Sequence, residues 1–330
     1  MPEENRSVTA EEMQPVAAAT AERARVAQFD LELVERQSQR REWPRITLVT
    51  AVYNGEEYLE AAIRSIVNQG YPNLEYIVVD DGSTDSTAKI IRKYEGEVSC
   101  WFSQANQGLY AALNAGFAKS TGEIMGWLNS SDMLQVNGLF TVGSIFRELR
   151  DVEWITGRPT KISATGMTID VLPIPRWSRG RFLVGANKYI QQESTFWRRS
   201  LWERAGGRLS TEYGAEGDFE LWVRFFRHAR LHSVNALIGG YRLHDHALSS
   251  SNTERYNRNC DEIAAREVES LQGGRRAAVK TFRWISRAVK PIPKVRGLWH
   301  RVAIRSLYGM AGPDWSPVIE YGEESWRLRR

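Results

Sequence analysis

The chain has 330 residues, 42% of them hydrophobic and 25% charged. That is ordinary globular composition for one large α/β domain or two small ones, and it excludes disordered, collagen-like and coiled-coil proteins. The net charge of +4 is unevenly spread: −3 over residues 1–42, −2 over 43–272 and +9 over 273–330, which excludes a basic nucleic-acid channel through the main body.

The polar, acidic start MPEENRSVTAEEM is unlike a secretory leader. Residues 17–41 carry Val26, Phe29 and Leu33 at helical spacing, and Trp43-Pro44 ends that pattern. ITLVTAVY (46–53) is a continuous β-prone run, as expected of a strand covered on both faces. In 56–69, Tyr58, Leu59, Ala62, Ile63, Ile66 and Val67 form one apolar helical face, ended by Gly70 and Pro72. A second strand covers 74–79 and stops at DDGSTDST (80–87), a turn that also starts a helix. The pattern continues as strand 98–102, helix 109–119, strand 124–128 and helix 136–149. Such alternation predicts a mostly parallel sheet with right-handed crossovers.

Beyond residue 150 the alternation degrades. Strands are expected at 154–157, 161–172 and 238–242, a short helix at 200–205, a helix at 219–228 and a long polar helix at 252–271. Gly273-Gly274 reads as a linker to basic helices. Between Gly273 and Gly312 there are ten Lys and Arg and no acid, with Val279, Phe282, Ile285 and Val289 at helical spacing. Either this stripe packs on the main domain or it lies on an anionic membrane surface. No apolar run of about 18 residues is present. Cys100 and Cys260 match neither a zinc spacing nor a disulfide framework, so a cytoplasmic protein with reduced thiols is expected, with peripheral attachment to the inner membrane face if the tail binds.

The common nucleotide and hydrolase fingerprints are missing: there is no G-x-G-x-x-G, P-loop, G-x-S-x-G or H-E-x-x-H. What remains is polar residues at the C-terminal ends of strands, where open α/β sheets bind ligands. These are Thr50, Tyr53 and Asn54; Asp80, Asp81 and Ser83; Asn106 and Asn114 around a helix start; and Trp127-Leu128-Asn129-Ser130-Ser131-Asp132. Of the adjacent carboxylates Asp80 and Asp81, one can cap the following helix while the other faces the cleft.

TAVYNGEEYL (50–59), VVDDGSTDST (78–87), NQGLYAALNAG (106–116), WLNSSDML (127–134), QQESTFWRR (191–199), EGDFELWVR (216–224) and YRLHDHALS (241–249) together resemble glycosyltransferase family 2, the inverting nucleotide-sugar transferases of GT-A fold. The resemblance runs over about 45–250. It implies a GT-A-type, mostly parallel Rossmann-like sheet with helices on both faces and flanking terminal helices. It divides the chain into a tail and helix (1–42), a nucleotide-sugar-binding half (43–150), an acceptor-binding half (151–272) and a basic helical tail (273–330).

By that resemblance Thr50, Tyr53 and Asp81 hold base and ribose, Asn54, Asp80, Asn106, Asn114, Asn129 and Ser131 complete the donor site, and Gln191, Gln192 and Trp197 line the acceptor side. Asp218 matches the catalytic carboxylate that takes a proton from the acceptor hydroxyl, with Glu216 as its alternative. As bare residues, Asp218 also suits a helix N-cap, and Trp197 and Trp222 also suit a core. Asp132 and His244 are the metal candidates, for Mg²⁺ or Mn²⁺. The family's acidic D-x-D or D-D metal motif reads Asn129-Ser130-Ser131-Asp132 here, with Ser131 where a ligand is expected. Hydroxyl and amide oxygens are weak ligands for a hard dication. Either metal binds weakly through Asp132 and the diphosphate, or basic side chains replace it, or the enzyme is impaired. The implied function is transfer of a sugar from a nucleotide-diphosphate donor, UDP favoured, to a glycan, lipid-linked or protein acceptor in cell-surface polysaccharide synthesis. The alternative is a non-catalytic nucleotide-sugar-binding or scaffold module. A sugar-nucleotide-forming enzyme would need basic residues after the first strand, where Asn54-Gly55-Glu56-Glu57 stands.

Overall fold

The computed structural model describes residues 42–105, 107–183, 185, 189–244, 253–289 and 316–329, and every element below belongs to one unit, Pro44–Arg330. The expected helix at 17–41 lies outside the described residues.

In chain order the elements are β1 Ile46–Val52, α1 Leu59–Val67, β2 Leu74–Asp80, α2 Thr87–Lys93, β3 Cys100–Ser103, α3 Leu109–Ala118, β4 Ile124–Trp127, β5 Met133–Leu134 and α4 Gly138–Glu148. Then come β6 Trp154–Thr156, β7 Thr160–Ile162, β8 Thr168–Val171, α5 Arg179–Leu183, a 3-10 turn at Gln192–Ser194, β9 Thr195–Arg198 and α6 Arg199–Arg204. Last are α7 Gly217–His228, β10 Leu231–Ser233, β11 Gly239–Arg242, α8 Thr253–Glu269, α9 Gly274–Val289, β12 Val318–Gly322 and β13 Ser325–Arg329.

The main sheet has the order β10-β6-β9-β4-β1-β2-β3. β3, β2, β1 and β4 are parallel, while β9 runs antiparallel to both β4 and β6. All seven residues of β1 are buried, which is why its sequence is continuously apolar or β-branched rather than alternating. In α1, Leu59, Ala62, Ile63 and Ile66 are buried, the face that the spacing predicts. Val52 of β1 pairs with Asp80 of β2, and Val49 with Trp127 of β4. Parallel pairing thus brings three polar strand ends to one edge of the sheet. A smaller sheet, β5-β11-β7-β8, flanks that edge; its β7–β8 hairpin accounts for the single strand expected over 161–172.

Behind the sheet the core is a cluster of indoles. Trp222 stacks on Trp127 at 5.7 Å and on Trp154 at 5.6 Å, and Trp197 meets Trp127 edge-on at 5.5 Å. Trp197 is fully buried, so it packs the core and does not line an acceptor surface. It lies on β9 between β4 and β6, and its ring faces α7.

Two differences concern the C-terminal stretch. Of the basic helical tail expected over 273–330, the described residues show one helix, α9, and at the far end the hairpin β12–β13; residues 290–315 lie outside the described residues. Val318 and Ile319 of the hairpin are buried, and it lies alongside β10 through a Val234–Ile319 bridge and an Asn235 N–H to Ile319 carbonyl bond of 2.8 Å. The sheet edge that stabilises this hairpin is remote in sequence, so the helical reading had no signal against it. On α9, Val279 and Phe282 are buried, with Val279 packed against Leu183 and Val268, and Trp284 is exposed. The Val279 and Phe282 part of the apolar stripe therefore packs on the body of the protein. No helix among the described residues is long and apolar enough to cross a membrane.

At the opposite end of the sheet Glu75 ties β1, β2 and the turn before β4 together. Its carboxylate accepts the Thr47 hydroxyl, the Thr121 N–H and hydroxyl, the Gly122 N–H and Arg45. Burial alone would raise its pKa, but these donors outweigh it and hold the group down at about 2. Because the folded value lies below the ordinary ~4.3, the stabilisation is present above that value and is lost as pH falls toward 2. Urea melts of Glu75→Gln and wild type should therefore differ most at pH 6–7 and converge as the pH approaches the acid limit of the window. A gap that stays constant with pH would contradict this account.

Candidate active site

The loops after β1 and β2 are laced together. Asn54, in the left-handed region at φ 49°, donates its N–H to the Ser83 hydroxyl at 2.9 Å and accepts the Thr84 N–H at 2.8 Å. The Gly55 N–H reaches the Thr87 hydroxyl, and the Glu56 N–H reaches Asp85. Asn54 therefore shapes the loop. Tyr53 beside it is half exposed. Thr50 is fully buried, and its hydroxyl accepts the Tyr76 hydroxyl at 3.1 Å. It belongs to the inner face of β1 and does not reach a base or ribose.

Both carboxylates of the Asp80-Asp81 pair are turned into the protein. Asp80 accepts the Ser83 N–H at 3.0 Å and the Ser103 hydroxyl at 2.8 Å. Asp81 accepts the Gln104 amide at 2.9 Å, the Gln107 N–H at 3.1 Å and the Gly108 N–H at 2.8 Å. The last two donors lead into α3, whose positive end the carboxylate complements. The expectation that one of the pair caps and the other stands free resolves into two anchors. Asp80 shapes the turn to α2 and Asp81 shapes the 104–108 loop. Asn106 lies outside the described residues. Asn114 is engaged at both ends, donating to the Leu209 carbonyl at 2.9 Å and accepting the Leu209 N–H at 2.8 Å. It pins α3 to the segment before α7.

At the end of β4, Asp132 is 1% exposed. Its carboxylate accepts the Arg242 backbone N–H at 2.9 Å and the Asn129 amide at 3.1 Å. Burial pushes its pKa up to about 6 against those donors and the Arg242 charge. Two amide oxygens here, Asn129 Oδ1 and Gln192 Oε1, are buried with no hydrogen-bond partner among the described residues. Buried acceptors left unmade are costly, and each suits a hydroxyl donor brought by a ligand. Gln192 donates to the Trp127 carbonyl. Gln191 donates to the Thr160 carbonyl at 3.0 Å and to Glu193 at 2.5 Å. Glu193, buried, is raised by its burial and by the charges of Asp132 and Asp218.

Asp218 stands in the first turn of α7. Its N–H donates to the Tyr110 hydroxyl at 3.1 Å, and that hydroxyl donates to the Ala215 carbonyl at 3.2 Å. Gly217 makes this approach possible, since a Cβ there would lie 2.4 Å from the Tyr110 ring. Asp218 Oδ1 accepts the Phe219 N–H at 2.6 Å, a helix-start bond, so the capping role is present too. Burial and the nearby Glu216 carboxylate push the Asp218 pKa up to about 7, with the Phe219 N–H opposing. A carboxyl poised at that value can take a proton near neutral pH. Glu216 is buried and accepts the Asn259 amide of α8 at 3.0 Å.

The cation expected at this end of the sheet, Mg²⁺ or Mn²⁺, does not fit the residues present. Ser131 replaces a carboxylate, Asp132 has both oxygens engaged inside the protein, and no three His, Cys, Asp or Glu gather in one place among the described residues. His244 lies with its ring 4.9 Å from Tyr58, and His246 is outside the described residues.

Sequence reasoning missed Arg242, Glu193, Tyr110 and Asn259. Arg242 is 1% exposed and Glu193 3%. Both stood inside quoted motifs, YRLHDHALS and QQESTFWRR, but burial of a charged side chain depends on partners that no local pattern shows.

The family model described as Glycosyl transferase family 2 matches residues 47–137. A curated relative in Rickettsia typhi, an uncharacterized glycosyltransferase, is 28% identical over 207 residues, covering 61% of this chain and 65% of its own length. A Haemophilus influenzae protein of the same description is 40% identical over 94 residues, covering 28% of this chain and 38% of its own. The chain thus spans less than two thirds of these relatives. The S. aureus TarS 1–349 structure in complex with UDP-GlcNAc superposes with TM-score 0.60 at 16% identity, covering 74% of this chain and 73% of that one. The architecture is the GT-A fold.

Proposed function

With residues 47–137 matching the family model for glycosyl transferase family 2, we propose that the protein is an inverting glycosyltransferase using a nucleoside diphosphate sugar. The observation that carries this reading is Asp218, a carboxyl at about 7, standing in the first turn of α7. In the proposed reaction Asp218 takes the proton of an acceptor hydroxyl. The acceptor oxygen forms its bond to the anomeric carbon as the bond to the diphosphate oxygen breaks, with inversion, and the nucleoside diphosphate leaves. Tyr53 offers its exposed ring to the base, and the orphaned oxygens of Asn129 and Gln192 await ligand hydroxyls.

UDP is the favoured nucleotide, supported by the likeness of fold to TarS, whose complex holds UDP-GlcNAc. The proposed acceptor is a glycan, a lipid-linked sugar or a protein in cell-surface polysaccharide synthesis. With Val279 and Phe282 turned inward, contact with an anionic membrane surface rests on the basic side chains of 273–312 and on Trp284. Ser131 favours a second reading, a nucleotide-sugar-binding module without turnover. Release of UDP from UDP-sugars, with and without acceptor extracts, separates the two.

Asp81→Ala provides a test at the donor side. Three N–H donors of the 104–108 segment lose their acceptor, and a charge-assisted bond contributes about 1.5–3 kcal/mol. Calorimetry should show UDP affinity falling more than tenfold, through the loop. Unchanged affinity in a folded Asp81→Ala would remove this side of the cleft from the donor site.

A further inference from the structure

We propose that this donor site holds the diphosphate without a divalent metal ion, and that the buried guanidinium of Arg242 supplies the positive charge from inside the protein. The proposal rests on the nucleotide-sugar reading above and departs from it only in how the diphosphate charge is met.

Three observations carry it. The first is the state of Asp132, the one carboxylate left in the motif. It is 1% exposed, and its two oxygens receive the Arg242 N–H at 2.9 Å and the Asn129 amide at 3.1 Å. A hard dication needs oxygens pointed at it within about 2.0–2.6 Å. Turning Asp132 outward would orphan a buried backbone N–H on β11. The second is Ser131. Its carbonyl is drawn inward onto Arg242 Nε at 2.5 Å, so the residue in the ligand position is tied to the guanidinium.

The third is Arg242 itself. Nη1 donates to the Ala164 carbonyl at 2.5 Å and to Ser163 at 3.3 Å, both in the β7–β8 turn. The guanidinium lies 4.8 Å over the Tyr58 ring. Nη2 is buried with no hydrogen-bond partner among the described residues. The hydrogen-bond acceptors of this guanidinium are therefore carbonyls, with a ring face beside it. The Asp132 and Glu57 carboxylates lie close enough to interact with its charge without a side-chain hydrogen bond to it, and so offset it only in part. In a low-dielectric interior such a charge acts over several ångströms with little screening, and it sits one bonded contact behind Ser131. A guanidinium does not lose its proton in a protein, so this positive charge is permanent. Arg242 is a positioning residue in this account: it holds the Ser131–Asp132 turn and biases its potential, and it does not touch the donor.

The test is calorimetric titration of UDP into the full chain, in EDTA and in Mn²⁺. The expected result is a Kd that differs by less than about twofold between the two buffers. Ser131→Asp, which restores a second carboxylate, should bind UDP at least tenfold more tightly in Mn²⁺ than in EDTA. Arg242→Met should weaken UDP by tenfold or more in both buffers, while Arg242→Lys, which keeps the charge, should recover most of that loss. A role in packing alone would not separate Lys from Met in this way.

Wild-type affinity that falls more than tenfold in EDTA and returns with Mn²⁺ overturns the proposal. So does a folded Arg242→Met that binds UDP like wild type. If Arg242→Met does not fold, the wild-type comparison and Ser131→Asp still decide. A wild-type chain that binds UDP in neither buffer, and binds no other nucleoside diphosphate, removes the donor reading itself, which is a different failure from metal dependence.

Discussion

Asp218→Asn lowers kcat by roughly 10²–10⁴-fold, the usual loss of a general base, while UDP affinity stays within about twofold of wild type. The side chain keeps its size and its helix-start bond to the Phe219 N–H, so the fold should survive. What is lost is the ability to accept a proton. The pH profile supplies the second half of the result. With Asp218 raised to about 7 by burial and by the Glu216 charge, kcat/KM should fall on the acid side of neutrality as the base becomes protonated, and level off above it. Glu216→Gln removes the neighbouring negative charge and so lowers the Asp218 pKa. Its acid limb should move to lower pH. Retention of more than a tenth of wild-type kcat in Asp218→Asn would place the base elsewhere, and an unmoved acid limb in Glu216→Gln would mean that the limb belongs to another group.

The largest expected effect on stability is that of Trp222→Ala. The indole is 1% exposed, stacks on Trp127 and Trp154, and meets Trp197 and Phe225 edge-on or tilted. Removing it leaves a cavity at the centre of the aromatic cluster, at a cost of about 3–5 kcal/mol, a large share of the 5–15 kcal/mol that holds a typical domain together. Trp222 also stands one helical turn after Asp218 on α7, so kcat should fall with stability. Trp222→Phe should cost less, because it keeps a stacked ring and removes an indole N–H that has no partner among the described residues. Urea unfolding of the three proteins gives the comparison. A Trp222→Ala midpoint within error of wild type would mean that the cluster repacks around the gap.

Which parts of this molecule could be read from residues alone follows from the range of the forces involved. Continuous apolar runs at 46–52 and 74–80, separated by an amphipathic face at 59–66, report local periodicity. Periodicity decides strand or helix and, through the handedness of crossovers, the parallel sheet. The same locality placed Tyr53, Asp81, Asn129 and Asp218 at strand ends or a helix start, since a motif's position relative to its element is a short-range property. The acid of EGDFELW was therefore legible as a helix-start cap, and only the resemblance offered it as a candidate base.

Only the folded chain decided which way those side chains turn and what they meet. Thr50, Asn114 and Trp197 stood in matching motifs yet point into the protein, because neighbours from Tyr76, Leu209 and the indole cluster claim them. The hairpin at 318–329 forms beside a strand more than 80 residues away, and α9 packs Val279 of its apolar stripe against α8 and Leu183. Arg242 gives the clearest case. Its sequence neighbours are consistent with an exposed strand end, and its burial depends on carbonyls at 131, 163 and 164. A charge is buried only where enough polar partners converge. That convergence is set by how two sheets pack, a quantity written in no single stretch of the chain.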